Sequence, residues 1–94
     1  MVRICVSLSV YDRRLKSAML QRLIEMPSPP TVGLEIGFPG IRDDYWSGEV
    51  ATVIWDVEAG IYHVELEDWC SQRLSVEEMV KALGPEWKQL GTAA

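Results

Sequence analysis

Val2-Arg3-Ile4-Cys5-Val6-Ser7-Leu8-Ser9-Val10-Tyr11, and the stretch that follows it, Asp12-Arg13-Arg14-Leu15-Lys16-Ser17-Ala18-Met19-Leu20-Gln21-Arg22-Leu23-Ile24-Glu25-Met26, decide the fold. In the first, Val2, Ile4, Val6, Leu8 and Val10 share one parity, and Arg3, Cys5, Ser7, Ser9 and Tyr11 share the other. That alternation is the signature of a strand with one buried face. In the second, Leu15, Met19 and Leu23 recur at i, i+4 and i+8, flanked by Ala18 and Met26 and widened by Leu20 and Ile24. This spacing predicts a helix over 13–25 with Asp12 as its N-cap and the Leu15 stripe facing the core. Pro27 ends it, because proline disfavours helical geometry in the residue before it. Pro27-Ser28-Pro29-Pro30 is then a stiff, extended joint.

Further along, Val32, Leu34, Ile36 and Phe38 alternate with Thr31, Gly33, Glu35 and Gly37, which predicts a second strand. Residues 39–48 hold Pro39-Gly40 and the cluster Arg42-Asp43-Asp44-Tyr45-Trp46. They read as a loop longer than a hairpin requires, and loops are where binding groups gather. Residues 49–57 and 60–67 make a hairpin. Pairing Trp55 with Tyr62, Val53 with Val64 and Ala51 with Leu66 brings apolar side chains together on one face. Burial of that face sets the register more firmly than the preference of Gly60 for a bulged turn. The first hairpin strand is apolar on both parities, Val50 and Ile54 against Ala51, Val53 and Trp55, as a central strand would be.

Ser75-Val76-Glu77-Glu78 is a capping box, with Leu74 and Met79 placed for a hydrophobic staple. It predicts a helix over 76–83 whose buried stripe is Val76, Val80 and Leu83, and which Gly84-Pro85 breaks. Pro85 can open a short further turn carrying Trp87 and Leu90, and residues 91–94 read as a frayed tail. The predicted order is therefore β-α-β-β-β-α, one domain over residues 1–94. Its class is α+β, a two-layer sandwich in which a four-stranded mixed sheet carries two helices on one face. The second face is then left for a protein partner, a second copy of the chain or the 39–48 loop to cover.

The composition is that of a globular chain: 94 residues, 48% hydrophobic and 24% charged. No apolar run approaches the roughly 20 residues of a membrane-spanning helix. The apolar start could be read as a signal peptide. Ser7 and Ser9 interrupt it, however, no small-x-small cleavage site follows, and Asp12-Arg13-Arg14 comes at once. Two cysteines, outside any CxxC pair, agree with a cytoplasmic protein. The net charge of −5 is unevenly spread. Residues 1–30 hold five Lys/Arg and two Asp/Glu, residues 31–72 one Arg and nine Asp/Glu, and residues 73–94 three of each. An acidic chain lacks the broad positive field that phosphate backbones require, so nucleic acid is not the favoured partner.

Little points to chemistry. His63, the only histidine, shares a parity with Ile61, Glu65 and Glu67, and Asp56 and Glu58 lie near the turn. Side chains on alternate residues stand roughly 7 Å apart along a strand, too spread to converge on a metal ion. Cys5 and Cys70 sit in no nucleophile signature and suit small apolar fillers. Asp43-Asp44 lacks the glycine and spacing of a calcium loop. There is no GxGxxG, GxSxG or HExxH motif. No catalytic residue, metal ligand or cofactor is therefore assigned. Trp55 and Trp87 fall in phase with core stripes. Trp46 and Trp69 stand beside acidic residues at element ends, where aromatic interface anchors are common. The candidate interface residues are Tyr45, Trp46, Ile54, Trp55, His63 and Trp69.

Val32-Gly33, Gly48-Glu49-Val50 and Tyr62-His63-Val64-Glu65-Leu66 resemble the strands of a Tudor or other SH3-like barrel. The likeness spans less than half of the chain and assigns no family. The helix, three strands and helix also follow the order of a double-stranded-RNA-binding domain, without the basic start to the last helix. The expected function is non-catalytic: a protein–protein interaction module, acting as a homodimer through its sheet. The dimer surface is Val53, Trp55, Tyr62 and Val64 or, if that set faces the helices, Val50, Ile54, Ile61 and His63. The alternative is a small-ligand or metal-dependent enzyme using the acidic face around His63 and the 39–48 loop. A nucleic-acid-binding module is third.

Overall fold

The structure, a computed structural model, describes residues 1–41 and 44–93, the side chains of 39–46 and 91–93 excepted. Its elements are β1 (Val2–Tyr11), β2 (Ser17–Met26), β3 (Glu35–Ile41), β4 (Asp44–Asp56), β5 (Ile61–Leu66), β6 (Trp69–Cys70), α1 (Val76–Leu83) and β7 (Lys88–Ala93). The strands form one sheet in the order β3-β4-β5-β1-β2-β7, with β6 alongside the end of β1. Strand accounts for 55% of the protein and helix for 10%, and the seven-stranded mixed sheet curls into a half-barrel. The expected four-stranded sheet with two helices is thus overturned.

The decisive correction is β2. Residues 17–26 pair antiparallel with β1 along its whole length, from Tyr11↔Ser17 to Val2↔Met26. Asp12 does not cap a helix. Its Oδ1 accepts from the amides of Arg14 (2.9 Å) and Lys16 (3.1 Å). The Leu15 amide donates to the Asp12 carbonyl (2.9 Å), and Leu15 itself turns left-handed at φ 62°. The same acceptor that could start a helix here folds the chain back. Leu15, Met19 and Leu23, expected at the core, are 80%, 45% and 64% exposed. A spacing of four residues satisfies a period of two as well as one of 3.6, so the stripe could not tell the two apart. The buried residues are Ala18 and Leu20, with Ile24 and Met26 packed against the core on the same parity.

The strand predicted at 31–38 begins later. Gly33 sits at φ 91°, and Val32 and Leu34 are exposed, while Ile36 and Phe38 are buried. Most of the 39–48 stretch is strand rather than loop, because β3 and β4 pair from Glu35↔Glu49 to Ile41↔Asp44. Pro39 is tolerated because β3 is an edge strand, and the register slips just after it. Arg42 and Asp43 lie outside the described residues. The thirteen-residue β4 pairs with β3 through its first half and with β5 through its second.

The predicted hairpin is β4–β5. Trp55↔Tyr62 and Val53↔Val64 pair as the apolar register required, but Leu66 meets Val50 instead of Ala51. A bulge between Val50 and Thr52 causes the shift and turns Val50 into the core, where it is fully buried. The Asp56 Oδ1 holds the turn by accepting from the amides of Glu58 (3.1 Å) and Ala59 (3.0 Å).

Helix α1 stands where its capping box put it. The Ser75 hydroxyl accepts from the Glu78 amide (3.1 Å), and the Glu78 carboxylate accepts from the Ser75 amide (3.2 Å). Val76, Met79 and Leu83 are its buried residues, whereas Val80 is only partly buried. Lys16 pairs with Glu77 and ties the β1–β2 turn to the first turn of α1. Of the segment expected to fray, residues 91–93 belong instead to β7, antiparallel to β2, and Ala94 lies outside the described residues.

The core lies on the concave face: Ile4, Val6, Leu8 and Val10 of β1, Leu20 of β2, Val64 and Leu66 of β5, and the buried side of α1. Phe38 of edge strand β3 meets Trp87, just before edge strand β7, with ring centroids 5.3 Å apart at 61°. The Arg22 guanidinium carbon lies 5.3 Å from the centroid of the same Phe38 ring. Strands at opposite ends of the sheet are thereby drawn together, which is the physical content of the curl. No helix among the described residues is long and apolar enough to cross a membrane.

Candidate interaction face

Alternation along each strand sends one parity to the core and the other to the convex, outer face, which α1 leaves uncovered. On that face a row crosses four strands in register. Ile54 of β4 pairs with His63 of β5, His63 with Cys5 of β1, and Cys5 with Leu23 of β2. Its ends are open, Ile54 52% and Leu23 64% exposed, and between them Cys5 is 7% exposed. Polar neighbours flank it, Thr52, Glu65, Ser7 and Gln21 on one side. On the other stand Asp56, paired with Ile61, and Arg3, paired with Glu25.

Within the row the His63 Nε2 lies 3.3 Å from the Oδ2 of the flanking Asp56. The Ala59 amide, foremost, holds the Asp56 carboxyl below its ordinary value; His63 and the Glu58 amide add to this, and desolvation opposes it. Cys5, His63 and Asp56 are the residue types of a nucleophile with its base and orienter. Among the described residues, however, no hydrogen bond joins the Cys5 thiol to the ring, and burial pushes that thiol up, away from the reactive thiolate. Both cysteines are free. Among the described residues no three of His, Cys, Asp and Glu converge to hold a metal ion. The chemistry this face offers is apolar contact with a polar rim.

The six candidates from the sequence divide between the faces. Ile54 and His63 are cross-strand neighbours on the outer face. Trp55 lies on the opposite face, half exposed and stacked on Tyr62 with centroids 4.7 Å apart. Trp69 is packed against the core. The backbones of Tyr45 and Trp46 pair with Pro39 and Phe38 in the β3–β4 hairpin, and their side chains lie outside the described residues. Leu23 and Cys5 were missed. Leu23 falls in the stripe expected on the buried side of a helix, and Cys5, on the parity of Arg3, Ser7 and Ser9, is expected only as a small apolar filler.

No family model matches the chain, and no curated protein or solved structure does either.

Proposed function

We propose that the protein is a non-catalytic module that works by protein–protein contact through the outer face of its sheet, and that the partner is a second copy of the chain. The observation that carries this reading is the Ile54–His63–Cys5–Leu23 row, apolar at both open ends on a face without a helix. Exposed apolar side chains aligned in this way favour an occupant that removes them from water. Charge restricts where two copies meet. Two chains of net charge −5 repel each other, and the row itself holds no carboxylate, whereas the rows beside it hold Glu65, Asp56 and Glu25. A two-fold axis through the row presents the same residues from both sides, the closed arrangement commonest among homo-oligomers. Two free cysteines, one of them exposed, suit a reducing compartment and hence the cytoplasm.

Sedimentation velocity over a wide concentration range tests the reading. The wild-type chain sediments as a dimer that dissociates on dilution, and Leu23→Glu sediments as a monomer with an unchanged circular dichroism spectrum. A wild-type monomer at every concentration overturns self-association.

A further inference from the structure

Away from the outer face, a groove of about 450 Å³ separates the β1–β2 turn from the loop that leads into α1. Sites for small molecules occupy roughly 300–1,000 Å³, so this one is of ligand size. The chain has nine Lys/Arg against fourteen Asp/Glu, yet Arg13, Arg14, Lys16 and Arg73 all line this groove. The carboxylates beside them have other partners, of which Lys16 alone is a cation. Asp12 accepts from the Arg14 and Lys16 amides, Glu77 pairs with Lys16, and Glu78 accepts from the Ser75 amide. Among the described residues, no carboxylate lies within ion-pair reach of Arg13, Arg14 or Arg73. Three guanidiniums from two distant segments are left over around one groove.

Both segments are held in place. Asp12 fixes the turn that carries Arg13 and Arg14. In the other segment the Ser71 hydroxyl accepts from the amides of Arg73 (3.2 Å) and Leu74 (2.9 Å). The Ser71 amide donates to the Tyr11 carbonyl (2.9 Å), anchoring that loop to the end of β1. Hydrogen bonds thus brace the backbone of both segments that carry the guanidiniums. The Ser75 hydroxyl occupies the Glu78 amide at the start of α1, so the arginines, rather than the helix end, supply the attraction.

We propose that this groove binds a small oxyanion ligand carrying at least two negative charges. Guanidinium groups form paired, charge-assisted hydrogen bonds to the planar edge of a carboxylate or to two oxygens of a phosphate. The groove's size and the chain's acidic balance suit a small molecule rather than a polynucleotide.

Titration of the full chain with inorganic pyrophosphate and, separately, with citrate at low ionic strength tests this, read by amide chemical shifts and calorimetry. Saturable binding is expected, with shifts concentrated at Arg13, Arg14 and Arg73. Arg14→Gln and Arg73→Gln each weaken it about tenfold, as the loss of a charge-assisted hydrogen bond requires. Arg3→Gln, on the sheet, leaves it unchanged. Tighter pyrophosphate binding assigns the site to phosphate esters, and tighter citrate binding assigns it to polycarboxylates. If neither anion saturates, or if both groove variants bind as the wild type does, the proposal fails.

Discussion

Leu15 concentrates the difference between the two readings of this chain. A leucine at φ 62° is strained, since its Cβ crowds the backbone in a left-handed conformation. It is also 80% exposed, so its side chain contributes little packing. Leu15→Gly should therefore leave the unfolding midpoint unchanged or raise stability by up to about 1 kcal/mol, relief of strain being partly offset by the entropy glycine adds to the unfolded chain. Inside a helix over 13–25 the same change would cost about 1 kcal/mol. Chemical denaturation of the two proteins separates these outcomes. Arg22 shows why the turn was hard to foresee. It occupies a core-facing position of β2, with its guanidinium over the Phe38 ring, where a cation finds a favourable aromatic face. A charge at that position hid the alternation of Ala18, Leu20, Ile24 and Met26, and the exposed Leu15, Met19 and Leu23 supplied a false stripe.

Among the elements, those set by local chemistry were legible and those set by distant pairing were not. The capping box of α1 is a contact between residues three apart, and its residue types alone announce it. Ser75→Ala removes the acceptor of the Glu78 amide and should lower stability by about 1 kcal/mol; an unchanged denaturation midpoint would mean that Ser75 does not hold the helix end. The β1 strand and the β4–β5 hairpin were legible for a related reason, because alternation and cross-strand apolar pairs are written in neighbouring residues. The bulge between Val50 and Thr52 left no such mark. It changes which face Val50 occupies, and Ile61 is buried too, so only Ile54 and His63 of the anticipated second-face set stay open to solvent. Pro39, Gly40 and Gly48 signal breaks in a sequence, yet an edge strand with a slipped register accommodates Pro39. β7 has no strand signal of its own and is formed against β2, whose own residues carry a helical spacing.

For the whole molecule, the half-barrel follows from contacts that no window of sequence contains, above all Phe38 against Trp87 across the two edges of the sheet. The expectation of an uncovered apolar second face was reached through a wrong architecture, with two helices instead of one. Its physical kernel was narrower: with Val50 turned into the core, β4 presents Ile54 on the outer face between Thr52 and Asp56. Where the candidate residues fall follows from strand pairing. Ile54 and His63 come together because β4 and β5 pair in the apolar register, and Cys5 and Leu23 join them only because β1 lies between β5 and β2. The central claim is that this outer row meets a partner while the opposite parity forms the core. Its most direct test places a charge on each side of the sheet and measures folding and mass together. Ile54→Glu should keep the wild-type dichroism spectrum and sediment as a monomer, and Val64→Glu, which puts the charge at a fully buried position, should unfold. A folded Ile54→Glu protein that still sediments as the wild type does, or a Val64→Glu protein that stays folded, would contradict the account.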